Sequence, residues 1–146
     1  MMISRFALLL AVVLPFGCTE PQAPTDPLRA EAGESAEGVS LNLDGVRFTH
    51  GDTLAATLVN SGSASIGYNL CSSARERQTA AGWETIESLR MCTAALYPLA
   101  PGESVIYREP VDPEWGSGRF RIVTTIYVGE STAPRKVSSG TFEVAP

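Results

Sequence analysis

From Val39 onward, apolar and polar residues alternate with a period of two over short stretches of the chain. Such alternation is typical of β-strands that bury one face, and no window carries the apolar stripe of an amphipathic helix. The longest run, Arg119 to Val128, predicts a central strand. In this interpretation 46–48 continues the first strand, and Gly140 marks a bulge in the last. Turn residues separate the predicted strands, which are 39–43 with 46–48, 54–59, 66–71, 74–79, 83–86, 105–108, 119–128 and 136–144.

Two of these strands, Ala74–Thr79 and Trp83–Ile86, predict a hairpin around the turn Ala80-Ala81-Gly82, and Cys71 and Cys92 bracket it. The two cysteines could form a disulfide, part of a metal site or two buried thiols. We favour the disulfide, because two thiolates alone make a poor zinc site and the chain has only one histidine. Trp83 is expected to fill the space between the hairpin and the rest of the domain, as a structural anchor and not as a ligand-stacking residue.

The first 17 residues have the composition of an export signal, with Arg5, an apolar run from Phe6 to Leu14 and then Pro15-Phe16-Gly17. The run is shorter than the about 20 residues that a membrane-spanning helix needs, so we interpret 1–17 as a signal peptide and not as a buried helix. Residues 18–38 contain three prolines, several acids and few large apolar side chains, which predicts a disordered spacer. The folded domain is expected at 39–146.

Gly17-Cys18, at the end of this signal, resembles the lipobox of bacterial lipoproteins, although Pro15-Phe16 departs from the Leu and small residue that the family prefers. The resemblance implies that Cys18 is diacylated on its sulfur and becomes the new N-terminus after cleavage. A secreted or merely tethered form is the alternative. Lipidation would account for the odd cysteine and leave Cys71 and Cys92 as an even pair.

About seven short strands, turn signals between them and the absence of βαβ spacing predict an all-β fold, an antiparallel immunoglobulin-like β-sandwich with a disulfide-closed hairpin. The predicted domain contains, in order, the landmarks Asn60, Tyr68 to Cys71, Gly82-Trp83, Cys92, Pro101 to Ser104, Gly118 to Arg121, Phe142 and Val144. In this order of landmarks the domain resembles a bacterial immunoglobulin-like family found on exported lipoproteins, and it is distantly similar to the intracellular proteinase inhibitors of bacilli.

The composition narrows the possible chemistry. A net charge of -5 with scattered arginines argues against a nucleic-acid partner. His50 and Asp52 lack a nucleophile motif, and the acidic pairs Asp44/Asp52 and Asp112/Glu114 lack a calcium-loop pattern, so all are interpreted as turn residues. No catalytic residue, metal site or cofactor is therefore predicted.

Three groups of surface residues remain. Trp115 lies in a Pro-Glu-Trp-Gly turn, where an exposed aromatic ring could anchor a partner. Arg119 and Arg121 share the outward face of the central strand and could bind an anionic partner, although pairing with nearby acids is the simpler interpretation. The cluster Arg75-Glu76-Arg77 is interpreted as a charged edge strand that prevents aggregation.

These features predict an exported protein that is lipid-anchored to the bacterial cell envelope, at the outer membrane or cell surface, with a non-catalytic binding or structural module. Its expected partners are the membrane, through the lipid, and an envelope protein or polysaccharide. One alternative is a protease inhibitor that presents Leu89 to Leu99, braced by the disulfide. An enzyme is the other, and it would need a pocket of clustered titratable groups.

Overall fold

The computed structural model describes residues 32–87 and 90–146, which fold into eleven β-strands and two short 3₁₀ turns, Leu70–Ser72 and Pro113–Trp115. The prediction of an all-β fold is confirmed. The strands are β1 (Val39–Leu43), β2 (Arg47–Thr49), β3 (Thr53–Asn60), β4 (Ile66–Tyr68), β5 (Ala74–Thr79), β6 (Gly82–Ile86), β7 (Tyr97–Leu99), β8 (Ser104–Pro110), β9 (Gly118–Val128), β10 (Arg135–Ser138) and β11 (Phe142–Ala145).

The strands form two sheets that share one core. The smaller sheet has the order β1-β3-β8, and the larger is organised around β9. On one side of β9 lie β11 and β10, and on the other lie β5 and β4, while β6 and β7 continue the sheet beyond β5 and β4. Alternate residues of both sheets, including Leu58 of β3 and Phe120 of β9, form a single buried apolar cluster. The molecule is therefore a β-sandwich.

Three strand predictions are wrong. The strand expected at 66–71 ends at Tyr68, and Leu70–Ser72 forms a 3₁₀ turn. Segment 46–48 does not continue β1: it forms most of β2 in the larger sheet, where it pairs in parallel with β11 and packs Phe48 edge-on against Phe142 at 5.5 Å. The predicted strand 136–144 is two strands, β10 and β11, both paired with β9. Ser139 lies between them and donates its N–H to the Ile122 carbonyl at 2.8 Å. The alternation of apolar and polar positions therefore shifts between β10 and β11.

The predicted hairpin is present as β5 and β6, joined by a turn at Ala80 and Ala81, with Gly82 at a φ of 120° that favours glycine. The prediction that Arg75, Glu76 and Arg77 form a charged edge is wrong. Strand β5 lies between β6 and β9, and Arg75 faces the core and is buried. A strand's position in a sheet depends on long-range pairing, which local charge does not reveal.

The two tryptophans have exchanged their predicted environments. Trp115 is only 2% exposed, because its 3₁₀ turn folds inward and places the ring 6.0 Å from Phe120 and 6.3 Å from Phe142. It is thus a core residue and cannot be the predicted exposed anchor. Trp83 is not part of the buried core: pairing with Gln78 places it on the outer face of the larger sheet, where the Arg121 guanidinium lies 4.5 Å from its ring centroid.

The folded region begins before Val39. Glu34 and Ser138 exchange two hydrogen bonds of 2.9 Å, and Ala36 forms a bridge with Val39, although both Glu34 and Ala36 were assigned to the spacer. The predicted signal peptide, Cys18 and the rest of the spacer up to residue 31 lie outside the described residues. No helix within 32–87 and 90–146 has the length and apolarity needed to cross a membrane.

Candidate functional site

One side of the sandwich is open between its two sheets. Strand β8 ends the smaller sheet and lies over β5, as the ion pair from Glu109 of β8 to Arg75 of β5 demonstrates. The larger sheet continues one strand further, through β6 beside β5 and β7 beside β4. Within the described residues, the smaller sheet therefore leaves uncovered a strip of the larger sheet's inner face that is about one strand wide.

Inward-facing tyrosines become accessible at this open side. Tyr68 and Tyr97 are paired across β4 and β7, with ring centroids 6.1 Å apart. Val105 and Tyr107 face them from β8, because they pair with the buried Leu58 and Ala56 of β3. We call the resulting space, of about 270 Å³, the tyrosine cleft. Its lining residues are Tyr68, Asn69, Leu70, Cys71, Tyr97, Val105, Ile106 and Tyr107.

The rim of the tyrosine cleft is held by a cross-link. Cys71 and Cys92 form the predicted disulfide, with their Cα atoms 5.7 Å apart. The buried Asn69 side chain donates to the carbonyls of Thr93 and Ala95 at 2.7 and 3.0 Å. Segment 92–95 is thus tied at three successive points before the chain enters β7, which fixes the entry of Tyr97 into the cleft.

A buried ion cluster adjoins the tyrosine cleft at Tyr107. Arg75 donates to Glu109 through Nη2 at 2.7 Å, and both side chains are buried. Arg90 pairs with the same carboxylate and donates through Nη1 to the Tyr107 hydroxyl at 2.6 Å. The Arg75 guanidinium also lies 4.7 Å from the Trp115 ring centroid. These contacts immobilise the ring of Tyr107, so the cleft is preformed along this wall.

One hydroxyl group of the tyrosine cleft has a shifted pKa. Burial raises the pKa of the Tyr68 hydroxyl above its ordinary value, with smaller contributions from Tyr97 and Glu103. The phenol therefore stays protonated and neutral. Aromatic faces with a few hydroxyl groups are typical of sites that stack on apolar ligand surfaces and form directed hydrogen bonds.

The other predicted site residues lie elsewhere. Arg121 forms a 2.7 Å ion pair with Glu76 and stacks on Trp83, in agreement with the simpler interpretation that it pairs with a nearby acid. Arg119 shares this outer face and is exposed. Because Trp115 is in the core, the structure does not bring the three predicted binding residues together.

His50 and Asp52 do not form a catalytic pair. Asp52 accepts hydrogen bonds from the Thr49 N–H at 2.6 Å and from its hydroxyl at 2.9 Å, and these bonds lower the pKa of Asp52. The His50 Nε2 atom lies 3.4 Å from the Gly116 carbonyl oxygen. In the described part of the chain, no group of three or more His, Cys, Asp or Glu side chains is placed to hold a metal ion.

One feature of the sequence points to the tyrosine cleft. The alternation in β8 places Val105, Tyr107 and Glu109 on one face, but only the strand order shows that this face borders an open side. The Asn69 contacts could not be predicted, since they join residues more than 20 positions apart.

Comparison with known proteins yields little. No protein-family model matches the chain, and no curated protein matches it. Among solved structures, the chain is similar to the Pseudomonas fluorescens alkylpurine DNA glycosylase AlkC bound to DNA containing an abasic site analog, with 15% identity and a TM-score of 0.37. That likeness covers 76% of this chain and 31% of the glycosylase, so the chain spans about a third of that protein's length.

Proposed function

We propose that the protein is a non-catalytic, lipid-anchored module of the bacterial cell envelope that binds an envelope protein or polysaccharide in its tyrosine cleft. One observation carries the binding site: Tyr97 faces the inside of the sandwich and is nevertheless 47% exposed. Inward-facing aromatic rings that solvent can reach, on a wall held by a disulfide and an ion cluster, form a rigid, concave and partly apolar surface. Such surfaces favour binding because little entropy is lost in ordering them.

The envelope location is supported by the sequence and by the disulfide. The leader ending in Gly17-Cys18 resembles that of lipoproteins, and disulfides persist in exported proteins far more often than in cytosolic ones. Cys18→Ser should therefore move the mature protein from the detergent phase to the aqueous phase in a cloud-point partition. Cys71→Ser serves as the matched control, since it removes a different cysteine and should leave the partition unchanged. Equal partition of wild type and Cys18→Ser would remove the lipid anchor from the proposal.

Site-directed photo-crosslinking in the native envelope tests the binding site. A photoreactive p-benzoylphenylalanine at position 97 should form an adduct with an envelope protein or glycan. The same residue at position 127 is the control, because Tyr127 lies on the outer face of β9, away from the cleft. Adducts of equal yield from both positions would contradict a ligand site in the cleft, and the molecular mass of a specific adduct identifies the ligand class.

The protease inhibitor remains a second candidate because of one residue. Met91 is 99% exposed, although both its neighbours are held: Arg90 by Glu109 and Tyr107, and Cys92 by the disulfide. A protruding apolar side chain between two fixed positions is suited to the hydrophobic specificity pocket of a serine protease. Leu89, which opens the predicted loop, lies outside the described residues.

Inhibition assays test this candidate. The protein should inhibit chymotrypsin or elastase, and Met91→Lys should shift the inhibition towards trypsin, whose specificity pocket carries an aspartate. Rapid cleavage after Met91 with no inhibition of any of these proteases would eliminate the inhibitor candidate.

A further inference from the structure

The outer edge of β8 has backbone groups that no described strand pairs with. The β3–β8 register continues at both ends into hydrogen bonds from Asn60 N–H to Glu103 C=O and from Val111 N–H to Asp52 C=O, of 3.0 and 2.8 Å. In an antiparallel pair, residues turned towards the partner strand alternate with residues turned away. Since the backbone groups of residues 103 and 111 point towards β3, those of residues 105, 107 and 109 do so too. The N–H and C=O groups of Ser104, Ile106 and Arg108 therefore point to the free edge, where no described strand pairs with them.

Proline positions agree with this assignment. Pro110 pairs with Thr53 and lies two residues after Arg108, so its backbone nitrogen also points to the free edge. Because proline has no N–H, that position takes no hydrogen bond away from the β3 ladder. Residues 104–109 contain no proline, whereas β7, one of the two edge strands of the larger sheet along the open side, has Pro98 at its centre. Proline blocks strand addition at β7, while the proline-free edge of β8 can accept another strand.

The overhang of the larger sheet decides what kind of partner fits. A strand added to β8 would lie over β6 and β7 and would cover the tyrosine cleft. A second copy added through its own β8 would bring its own β7 and β4 to the place where β7 and β4 of the first copy already lie. The open side therefore has room for a single extended segment and not for a second sandwich.

We propose that the ligand is an extended peptide segment of an envelope protein that adds to β8 as a fourth strand of the smaller sheet. This inference rests on the proposed function and names the ligand class of the same site. Backbone bonds to Ser104, Ile106 and Arg108 supply affinity, and the side chains that alternate inward enter the tyrosine cleft. A polysaccharide has no backbone amides with which to continue the ladder.

Two side chains on the outer face of β8 set the ligand's sequence preference. Ile106 is 50% exposed, and Arg108 is exposed and forms no ion pair within the described residues. Directly opposed pairs on a sheet are stabilised by apolar contact or by opposite charge. The ligand should therefore carry an apolar residue opposite Ile106 and an acidic residue two positions away, with the residue between them pointing into the cleft. The preferred pattern is acidic, apolar, apolar.

The test uses the full-length chain in detergent micelles and a phage-displayed library of random dodecapeptides. Enriched peptides should share the acidic-apolar-apolar pattern. A scan of one enriched peptide, in which each backbone amide is methylated in turn, should give losses of affinity of about tenfold or more at every second residue and little change between them. This scan leaves the protein unaltered, so its result does not depend on how any variant folds.

Protein variants supply the matched controls. Arg108→Pro removes an edge N–H without touching the β3 ladder and should abolish binding, while Arg108→Ala should weaken only peptides with the acidic residue, and Arg108→Glu should select basic ones. Failure to enrich any peptide, a methylation scan with no period of two, or full binding by a folded Arg108→Pro would refute strand addition. A glycan adduct from position 97 would then leave the proposed function intact. The absence of any specific adduct from that position would refute both.

Discussion

Substitutions in the buried Arg75–Glu109–Arg90 cluster should lower the stability of the domain by different amounts. Glu109 lies between the guanidinium groups of Arg75 and Arg90 and pairs with both. Glu109→Gln would remove the carboxylate that pairs with the Arg75 guanidinium, on a side chain that is only 7% exposed. Removing one partner of a buried ion pair costs about 3–5 kcal/mol, a large share of the about 5–15 kcal/mol by which a domain is stable.

The arginine variants should lose less stability than Glu109→Gln, and they should do so in a fixed order. Arg75→Met leaves Glu109 paired with Arg90, and Arg90→Met leaves it paired with the more deeply buried Arg75. Arg75→Met also forfeits the contact of the guanidinium with the Trp115 ring. We therefore expect the loss of stability to fall in the order Glu109→Gln, Arg75→Met, Arg90→Met. The double variant Arg75→Met/Glu109→Gln should cost less than the sum of its two single changes.

Equilibrium urea denaturation, followed by tryptophan fluorescence under oxidising conditions, measures these free energies. Trp115 reports directly because its ring contacts Arg75. The ion pair is not desolvated and coupled if the costs of the two single changes simply add in the double variant. The same holds if Glu109→Gln lowers the free energy of unfolding by less than about 1 kcal/mol. Arg47→Met is a suitable control, because its ion pair with Glu143 is exposed and should change stability by less than about 1 kcal/mol.

Three further predictions concern the disulfide, the tryptophans and one turn. Replacing Cys71 and Cys92 together by serine should cost about 3 kcal/mol in urea denaturation, as expected for a loop with a sequence separation of 21, and an unchanged midpoint would contradict this. Trp115→Ala should cost about 3–5 kcal/mol and Trp83→Ala much less, so equal losses by calorimetry would reverse the assignment of core and surface. The pKa of Asp52 is lowered in the folded state, so its stabilising contribution is present above the unfolded value of 3.8 and is lost as the pH falls through the folded value. Asp52→Ala should therefore weaken the fall in the free energy of unfolding at acidic pH, and an unaltered dependence on pH would exclude the contribution.

Local patterns were sufficient for much of the secondary structure. The period-two alternation located β1, β3, β5, β6, β8 and β9, and the turn residues separated them. The two cysteines around a hairpin predicted their disulfide. These features were predictable because each depends on a few neighbouring residues, or on a cross-link with few alternatives.

The placement of the strands was not predictable in the same way. Alternation shows that a strand has two faces, but it does not show which neighbours pair with it or which face meets the core. Phe48 joined the other sheet because its ring packs on Phe142, about 90 residues later in the sequence. Trp83 and Trp115 exchanged environments for the same reason, since register with β5 turned one outward and contact with Phe120 drew the other inward.

The sequence by itself determined an all-β chain with a disulfide-closed hairpin, and it predicts a leader that ends at a lipid-anchor cysteine, because those properties depend on local composition and spacing. Only the tertiary structure decided where a ligand could bind. The tyrosine cleft exists because one sheet ends at β8 and the other continues one strand further, so Tyr97 and Tyr107 stay accessible although both face inward. That difference in sheet width arises from long-range strand pairing, which no local stretch of the chain encodes.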